Sequence, residues 1–425
     1  MSDTTSPERT TVRLGAEGRL DFGSADEIGD VERRRIEAWL AALIQAEHVA
    51  LLVGNGLSSA IGHVTGVKPP SMWRPLVDEP FGVLEKIRHH AEKAASAVGR
   101  DCNLEDEIRA AMTLAAGLEV LGNDTEVGIV EGAIERAMSE LLDGVEMFER
   151  GIWEVHRSAS PKGRAVADLL LKLLTPFVSR PVRRDRLHLF TTNYDRLLEY
   201  AADVVGLRMI DRFEGQLSPR FTASRLNIDI HYTPPGVRGE PRLIDGVVRY
   251  SKLHGSIDWR FDGSDIVRAA LPFGGSRPAG DAKTAVIYPN PAKDVETLAY
   301  PYAELFRDFA AAVCRPNTTL VTYGYGFGDS HINRVIADML RVPSTHLVVV
   351  TRDPLKTLSS FKERNIFPVS QTTEMIGPVV GGLDEFASLL PSLTSATVLD
   401  AQFDYLDRRA RIDGALGPSD RAEDS

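Results

Sequence analysis

The sequence predicts an α/β protein with a Rossmann-like, mostly parallel sheet, helices on both faces and a large helical insertion. Three observations support this fold class. Short apolar runs alternate with helix-periodic stretches along much of the chain. Several of these runs end in a glycine-rich or polar turn that opens a helix. The region from about 80 to 180 is helix-periodic throughout. Such alternation is typical of parallel sheets that are covered by helices.

The first part of the chain leads from an arm to one strand and then to the insertion. Residues 1–30 are polar, which predicts a flexible N-terminal arm. The stretch 31–47 places apolar side chains at helical spacing. The apolar run 49–53 predicts a strand that ends in the tight turn Gly54–Gly56. The insertion at about 80–180 is rich in Ala, Leu and Glu, so we expect it to interrupt the sheet.

Beyond the insertion the strand and helix patterns alternate again. Residues 206–248 are irregular with short strands, and the composition of 262–281 predicts a mobile loop. The predicted strands are 187–190, two pieces of 247–261 around Gly255, 285–290, 318–323 and the run that starts at 346. The predicted helices are 194–205, 302–313, one after the turn 324–328, one after 353, and 380–393, before a charged tail at 401–425.

Composition limits the classes of function. The 425 residues are 43% hydrophobic and 26% charged, as in ordinary soluble globular proteins. The net charge of −11 argues against a large nucleic-acid interface, although 180–186 is a small basic patch. The apolar runs are shorter than the roughly 20 residues of a membrane helix. The polar first residues lack a secretion signal, and there are only two cysteines. We therefore expect a cytoplasmic protein without a metal site.

Polar clusters follow the predicted strands, where ligands bind in parallel sheets. Two clusters are glycine-rich turns that suit a phosphate at a helix N-terminus. The first turn, Gly54–Ser58, lacks the G-x-G-x-x-G spacing and the lysine of a P-loop, and a plain tight turn explains each of the two alone. Two such turns in one sheet favour a dinucleotide. The clusters are Gly54–Ser58, Thr191–Asp195, His254-Gly255, Gly324–Asp329 and Thr351–Asp353.

The chemically useful side chains in these clusters also have structural explanations. Helix capping alone could explain three of them, because Asn and Asp are good N-cap residues. These are Asn193, Asp195 and Asp329. His254 stands at a strand end beside Gly255, and imidazole titrates near neutral pH. It is therefore a candidate general base if Asn193 and Asp195 meet it across the sheet.

In this order, the segments GNGLS, TNYD, LHG and GYGFGD resemble the sirtuin superfamily. They are most similar to bacterial sirtuin-like domains that degrade NAD⁺ in antiphage defence. The resemblance covers about 48–390. It implies a sirtuin-like NAD-binding domain over 31–400 that contains the helical insertion, between the arm at 1–30 and the tail at 401–425.

The resemblance implies a role for each matched residue. Asn193 corresponds to the asparagine beside the nicotinamide ribose, Asp195 to the aspartate that helps bind nicotinamide, and His254 to the catalytic histidine. These three are the implied catalytic residues. The other matches are implied to bind NAD⁺, as substrate: Gly54, Asn55, Gly56 and Ser58 at the diphosphate, Thr192 beside Asn193, Gly324, Gly326 and Asp329 near the adenosine, and Thr351, Arg352 and Asp353 at the adenine ribose.

Two departures from sirtuin deacylases bear on the reaction. Two cysteines cannot build their four-cysteine zinc ribbon, and KPPSMWRPL at 68–76 replaces their Pro-Asp-Phe-Arg segment. Hydrolysis of NAD⁺ to nicotinamide and ADP-ribose therefore fits the retained motifs best. An NAD-dependent protein deacylase and a non-catalytic sensor of NAD⁺ or ADP-ribose remain alternatives.

The resemblance also implies control by assembly. Related single-domain proteins pair with a HerA-type hexameric ATPase or form large homo-oligomers. We therefore expect a homo-oligomer, with a HerA-type ATPase as candidate partner, and no membrane or direct nucleic-acid contact.

Overall fold

The computed structural model describes most of the chain. The described residues are 10–13, 19–22, 29–97, 99–158, 160–180, 185–233, 242–278, 284–287, 300–364, 366 and 373–377. The helices are α1 Asp30–Ile44, α2 Gly56–Thr65, α3 Val83–Ala97, α4 Leu104–Val120, α5 Asp124–Arg157, α6 Pro161–Val178, α7 Leu197–Val205, α8 Tyr302–Val313, α9 Ser330–Met339 and α10 Pro354–Glu363. The strands are β1 Thr10–Arg13, β2 Arg19–Phe22, β3 His48–Val53, β4 Leu187–Thr191, β5 Arg208–Ile210, β6 Phe213–Glu214, β7 Arg220–Phe221, β8 His231–Tyr232, β9 Arg242–Leu243, β10 Val247–Lys252, β11 Gly255–Phe261, β12 Ile266–Arg268, β13 Ala285–Ile287, β14 Thr318–Tyr323, β15 His346–Val350 and β16 Thr373–Gly377.

The main sheet has nine strands in the order β2-β1-β16-β15-β14-β3-β4-β10-β5. From β16 to β5 every neighbouring pair is parallel. Its central strands are apolar and buried, and one hydrophobic cluster covers each face of the sheet. The predicted mostly parallel α/β sheet with helices on both faces is confirmed.

The N-terminal arm differs from its prediction in the residues that the structure describes. Strands β1 and β2 form an antiparallel pair, and β1 pairs with β16 at the edge of the main sheet. Local composition shows only polarity here, whereas the strands exist through pairing with a segment more than three hundred residues away. The prediction of a flexible arm is wrong for these two segments.

The helical insertion packs on the sheet end that carries the polar clusters. Helix α4 begins at a capping box, in which Asn103 and Asp106 exchange hydrogen bonds between side chain and backbone. Helices α3, α4 and α5 share a hydrophobic cluster that includes Tyr194, just after β4, and Ile257 in β11. Helix α6 instead packs in the core of the main sheet.

A second sheet extends from the carboxyl end of β10. It has the order β13-β11-β12-β7-β6, and all of its pairings are antiparallel. The predicted loop 262–281 contains β12, because Ile266–Arg268 pair with β11. The helix predicted from 194 starts at Leu197. The predicted helix 380–393 and tail 401–425 lie outside the described residues. Over the described part of the chain, the helices are too short or too polar to cross a membrane.

Candidate functional site

A cavity of about 820 Å³ lies where β3, β4 and β14 end and the helical insertion begins to cover the sheet. Ligands of parallel sheets bind at this position. The cavity brings together most of the residues that the sequence singles out. Those that line it are Asn55, Gly56, Thr192, Asn193, Asp195, His254, Gly324, Gly326 and Asp329.

The two glycine-rich turns pack directly on each other. The N–H of Gly56 donates to the carbonyl of Gly324 over 2.9 Å. A Cβ at Gly54 would lie 2.6 Å from the same oxygen, and Gly324 has a φ of +59°. These glycines are therefore required by the contact between the turns. Gly326 differs, because a Cβ there would meet no protein atom within 4 Å. Gly326 lines the cavity and leaves room for a ligand to approach the backbone.

Ser58 joins the asparagine and the aspartate of the TTNYD segment. Its hydroxyl donates to Asp195 Oδ2 over 2.6 Å and accepts from Asn193 Nδ2 over 3.0 Å. Asp195 Oδ1 also accepts from the N–H of Leu197 at the start of α7. The first N–H group of the helix is therefore bound by Asp195, and the N-cap position is Arg196, so the prediction that Asn193 caps this helix is wrong.

The side-chain oxygen of Asn193 has no partner among the described residues. Asn193 is 7% exposed, and its Oδ1 is buried. A buried amide oxygen without a hydrogen bond costs free energy, so such an atom in a cavity wall is suited to a ligand donor. The backbone around it is fixed, since the N–H of Asn193 donates to Thr191 Oγ1 over 3.0 Å.

His254 and Asp329 form a buried pair. His254 Nε2 lies 2.9 Å from Asp329 Oδ2, and each side chain is 8% exposed. Burial opposes charge on both groups, but their mutual hydrogen bond and attraction outweigh it. The pKa of His254 is therefore raised, and that of Asp329 is lowered to about 2, with help from the N–H groups of His331 and Ile332.

Asp329 thus combines the predicted helix cap with a contact to His254 that sequence reasoning missed. The proposed helix cap is present, because its Oδ1 accepts from His331 and Ile332 at the start of α9. Its Oδ2 meanwhile holds the His254 ring in one orientation. A carboxylate that orients an imidazole in this way is a common arrangement for a general base.

Sequence reasoning missed Glu105, which the insertion contributes to the cavity wall. Glu105 is in the first turn of α4 and pairs with Arg109 over 2.9 Å. Burial raises the pKa of Glu105, and the positive charges of His254 and Arg109 partly oppose that rise. The capping box marks where α4 starts, but no local signal shows that this turn faces the cavity.

Arginines also line the cavity, on the side of the second glycine turn. Arg364 donates to the carbonyl of Phe327 over 2.9 Å. Burial and the nearby Arg100 lower the pKa of Arg364. Arg100 is held by Asp106 in a two-pronged ion pair, with Nη2 2.6 Å from Oδ1. This cluster gives the cavity positive groups that suit phosphate oxygens.

Five predicted site residues do not line the cavity: Gly54, Ser58, Thr351, Arg352 and Asp353. Gly54 and Ser58 lie behind it, in contact with residues that do. Thr351 and Asp353, at the end of β15, serve helix α10: the Thr351 hydroxyl lies 3.3 Å from that of Thr357, and Asp353 accepts from the N–H of Lys356. Within the described residues the cavity wall does not include them, so their predicted contact with the ribose stays a prediction.

The segment 68–76, which replaces a sirtuin motif, contributes to the cavity mouth. Met72 and Trp73 line it, and the Trp73 side chain is 67% exposed. An aromatic ring at a cavity mouth can stack on a planar ligand group. In the described part of the chain, no group of three or more His, Cys, Asp or Glu residues is placed to hold a metal ion.

Comparison with known proteins adds one finding. The family model of the SIR2-like domain matches residues 187–369. The match supports a sirtuin-like relationship for this region and implies NAD binding and NAD-related chemistry. It includes Asn193, Asp195, His254 and the second glycine turn, and it starts after the first glycine turn and the insertion. No curated protein matches the chain.

Proposed function

We propose that this protein is an NAD⁺ glycohydrolase that cleaves NAD⁺ to nicotinamide and ADP-ribose. The observation that carries the proposal is the buried, unpartnered Oδ1 of Asn193 in the same cavity as the His254–Asp329 pair. A cavity of about 820 Å³ is in the range of cofactor sites, and its arginines and glycine turn suit a diphosphate. The match to the SIR2-like domain independently implies NAD as the ligand.

In this reaction the bond between the ribose C1′ and the nicotinamide nitrogen breaks, and the nicotinamide leaves as a neutral molecule with the electron pair. The oxygen of a water molecule forms the new bond to C1′, and its proton passes to a base. Because the leaving group is already cationic in NAD⁺, the protein has mainly to position the reactants and stabilise positive charge on the ribose.

The described side chains fit these tasks. Asn193 Oδ1 would accept from a ribose hydroxyl or the attacking water. His254 would take the proton, with Asp329 stabilising the imidazolium that results. Asp195, held by Ser58, would orient the carboxamide. Glu105 adds a half-buried carboxylate near His254 that would stabilise the developing positive charge.

The biological role that we propose is a toxic effector in antiphage defence, in which loss of NAD⁺ aborts infection. Such an activity requires control. We propose that control comes from homo-oligomer assembly or a HerA-type ATPase partner in the cytoplasm. These proposals rest on the resemblance of the four motifs to sirtuin-like defence proteins.

The test is to incubate purified protein with NAD⁺, alone and with the product of the adjacent gene, and to quantify nicotinamide and ADP-ribose. Asn193→Ala and His254→Ala should each lower the rate about 100-fold or more. Asn227→Ala and His231→Ala are matched controls, because both residues are exposed and outside the cavity. A folded Asn193 or His254 variant with the parent rate would overturn the proposal.

The same assay separates the alternatives. An NAD-dependent deacylase would consume NAD⁺ only when an acyl-lysine peptide is added. A sensor would bind NAD⁺ or ADP-ribose without turnover in every condition.

A further inference from the structure

A second cavity, of about 540 Å³, lies between α7 and the start of the second sheet. It shares no lining residue with the first cavity. Aromatic rings form much of its wall. Tyr200 and Phe273 are stacked at 4.5 Å, and Phe213 lies 4.9 Å from Trp259. The volume is within the range of small-molecule sites.

In this wall, Asp258 and Arg225 each have a buried polar atom without a hydrogen-bond partner among the described residues. Asp258 is 6% exposed, and its Oδ1 is buried without a hydrogen-bond partner. Its other oxygen lies 3.9 Å from an Nη of Arg196. Arg225 has a buried Nε that likewise lacks a partner among the described residues. Buried groups of this kind are usually paired, so each is an available contact for a ligand.

Two other arginines that line the second cavity, Arg212 and Arg268, are paired with carboxylates of the protein. Arg212 binds Asp308 through two hydrogen bonds of 2.6 Å. Arg268 donates to Asp211 over 2.6 Å. Both of these arginines are therefore committed to protein carboxylates, which leaves Arg225 as the better candidate for an external anion.

We propose that the second cavity binds an anionic ligand with a planar ring that carries an amino group, the chemistry of an adenosine-type nucleoside monophosphate. The amino group would donate to Asp258 Oδ1, and the phosphate would accept from Arg225. The ring would stack on the aromatic wall, as bases commonly do on Tyr, Phe and Trp.

A buried lysine connects this cavity to the first one. Lys252 lines the second cavity and is 2% exposed. Its Nζ donates to the backbone carbonyl of Asp195 and lies 3.2 Å from Glu199, which also lines the second cavity. The side chain of Asp195 accepts a hydrogen bond from the Ser58 hydroxyl, which in turn accepts one from the side-chain amide of Asn193. On the basis of the proposed function, we expect an occupant of the second cavity to change the rate of NAD⁺ loss.

Calorimetric titration with AMP and IMP tests the site, because these nucleotides differ in having an amino or an oxo group at one ring position. We expect AMP to bind about tenfold more tightly than IMP, since IMP would leave the buried acceptor Asp258 Oδ1 unpaired. Arg225→Gln should weaken AMP binding by a similar factor, and Asp258→Asn should remove the preference for AMP. Arg341→Gln is the matched control, because Arg341 is exposed and outside both cavities.

A second variant separates the two cavities. Gly326→Trp places a bulky side chain at the first cavity, where a Cβ has free space, and should leave AMP binding unchanged. The proposal is overturned if AMP does not bind at millimolar concentration. It is also overturned if Arg225→Gln and Asp258→Asn have no effect, or if Gly326→Trp abolishes binding. If the parent protein never consumes NAD⁺, the proposed function fails, while the binding result still decides the second site.

Discussion

Replacing Asp329 should reveal how strongly the His254–Asp329 pair stabilises the fold. Asp329→Asn keeps an oxygen that can cap α9 but removes the negative charge beside His254. The pKa of Asp329 is lowered from 3.8 to about 2 by interactions that outweigh its burial. At about 1.4 kcal/mol per pKa unit, this difference corresponds to about 2 kcal/mol of folding free energy. Asp329→Ala should lose about 1 kcal/mol more, because it also removes the cap.

The pH dependence of this loss has a defined sign. Asp329 contributes above its unfolded pKa of 3.8, and the contribution disappears as the pH falls through about 2. His254 has a raised pKa in the folded protein. Its contribution is complete below its unfolded value of 6.5 and disappears as the pH rises through the raised value. The difference between parent and Asp329→Asn should therefore be smaller at pH 9 than at pH 6, because deprotonation of His254 removes its positive charge beside Asp329.

Urea denaturation of the parent and both variants at pH 6 and pH 9 is the assay, with far-ultraviolet circular dichroism as the signal. Two results would refute this reasoning. One is a difference in unfolding free energy below about 0.5 kcal/mol between parent and Asp329→Asn at pH 6. The His254–Asp329 pair would then stabilise the fold no more than an exposed ion pair does. The other is a difference that stays equal at the two pH values.

Three further substitutions test other parts of the molecule. Gly56→Ala should cost about 1–3 kcal/mol or prevent folding, because its Cβ would lie 2.9 Å from the carbonyl oxygen of Gly324, and soluble yield with thermal melting measures this. Glu105→Gln removes a negative charge that raises the pKa of His254, so the acidic limb of the pH–rate profile for NAD⁺ loss should move to lower pH; an unmoved limb would contradict the assignment. Arg196→Met leaves the carboxylate of Glu149, 1% exposed, without its partner at 2.5 Å, and chemical denaturation should show a loss of about 3–5 kcal/mol.

The fold class and the main polar clusters could be predicted because their signals are local. An apolar run that ends in a glycine or polar turn marks both a strand and its carboxyl end. Parallel strands place those ends at one edge of the sheet, so Asn193, His254 and Gly324 converge without knowledge of tertiary contacts. The same reasoning placed Thr351 and Asp353 at that edge, but their side chains serve α10, and no local pattern distinguishes that use.

The contribution of the insertion could not be predicted, because it depends on how α4 packs. Its first turn has three consecutive acidic residues with three different environments. Asp106 binds Arg100, Glu107 accepts from the N–H of Leu76, and Glu105 faces the cavity. Composition and helical spacing do not distinguish the roles of these three residues. Their roles differ only because of how α4 packs over the sheet.

The order of the strands in the sheet also has a consequence for synthesis of the chain. A ribosome completes β3, β4 and β10 long before it reaches β14, although β14 lies next to β3. Until residues 318–329 have emerged, Gly56 lacks its backbone partner and His254 lacks the carboxylate of Asp329. Nascent chains therefore hold Asn193 and His254 in an unfinished pocket. For the NADase activity that we propose, this order would delay NAD⁺ loss until residues 318–329 have been synthesised and have joined the sheet.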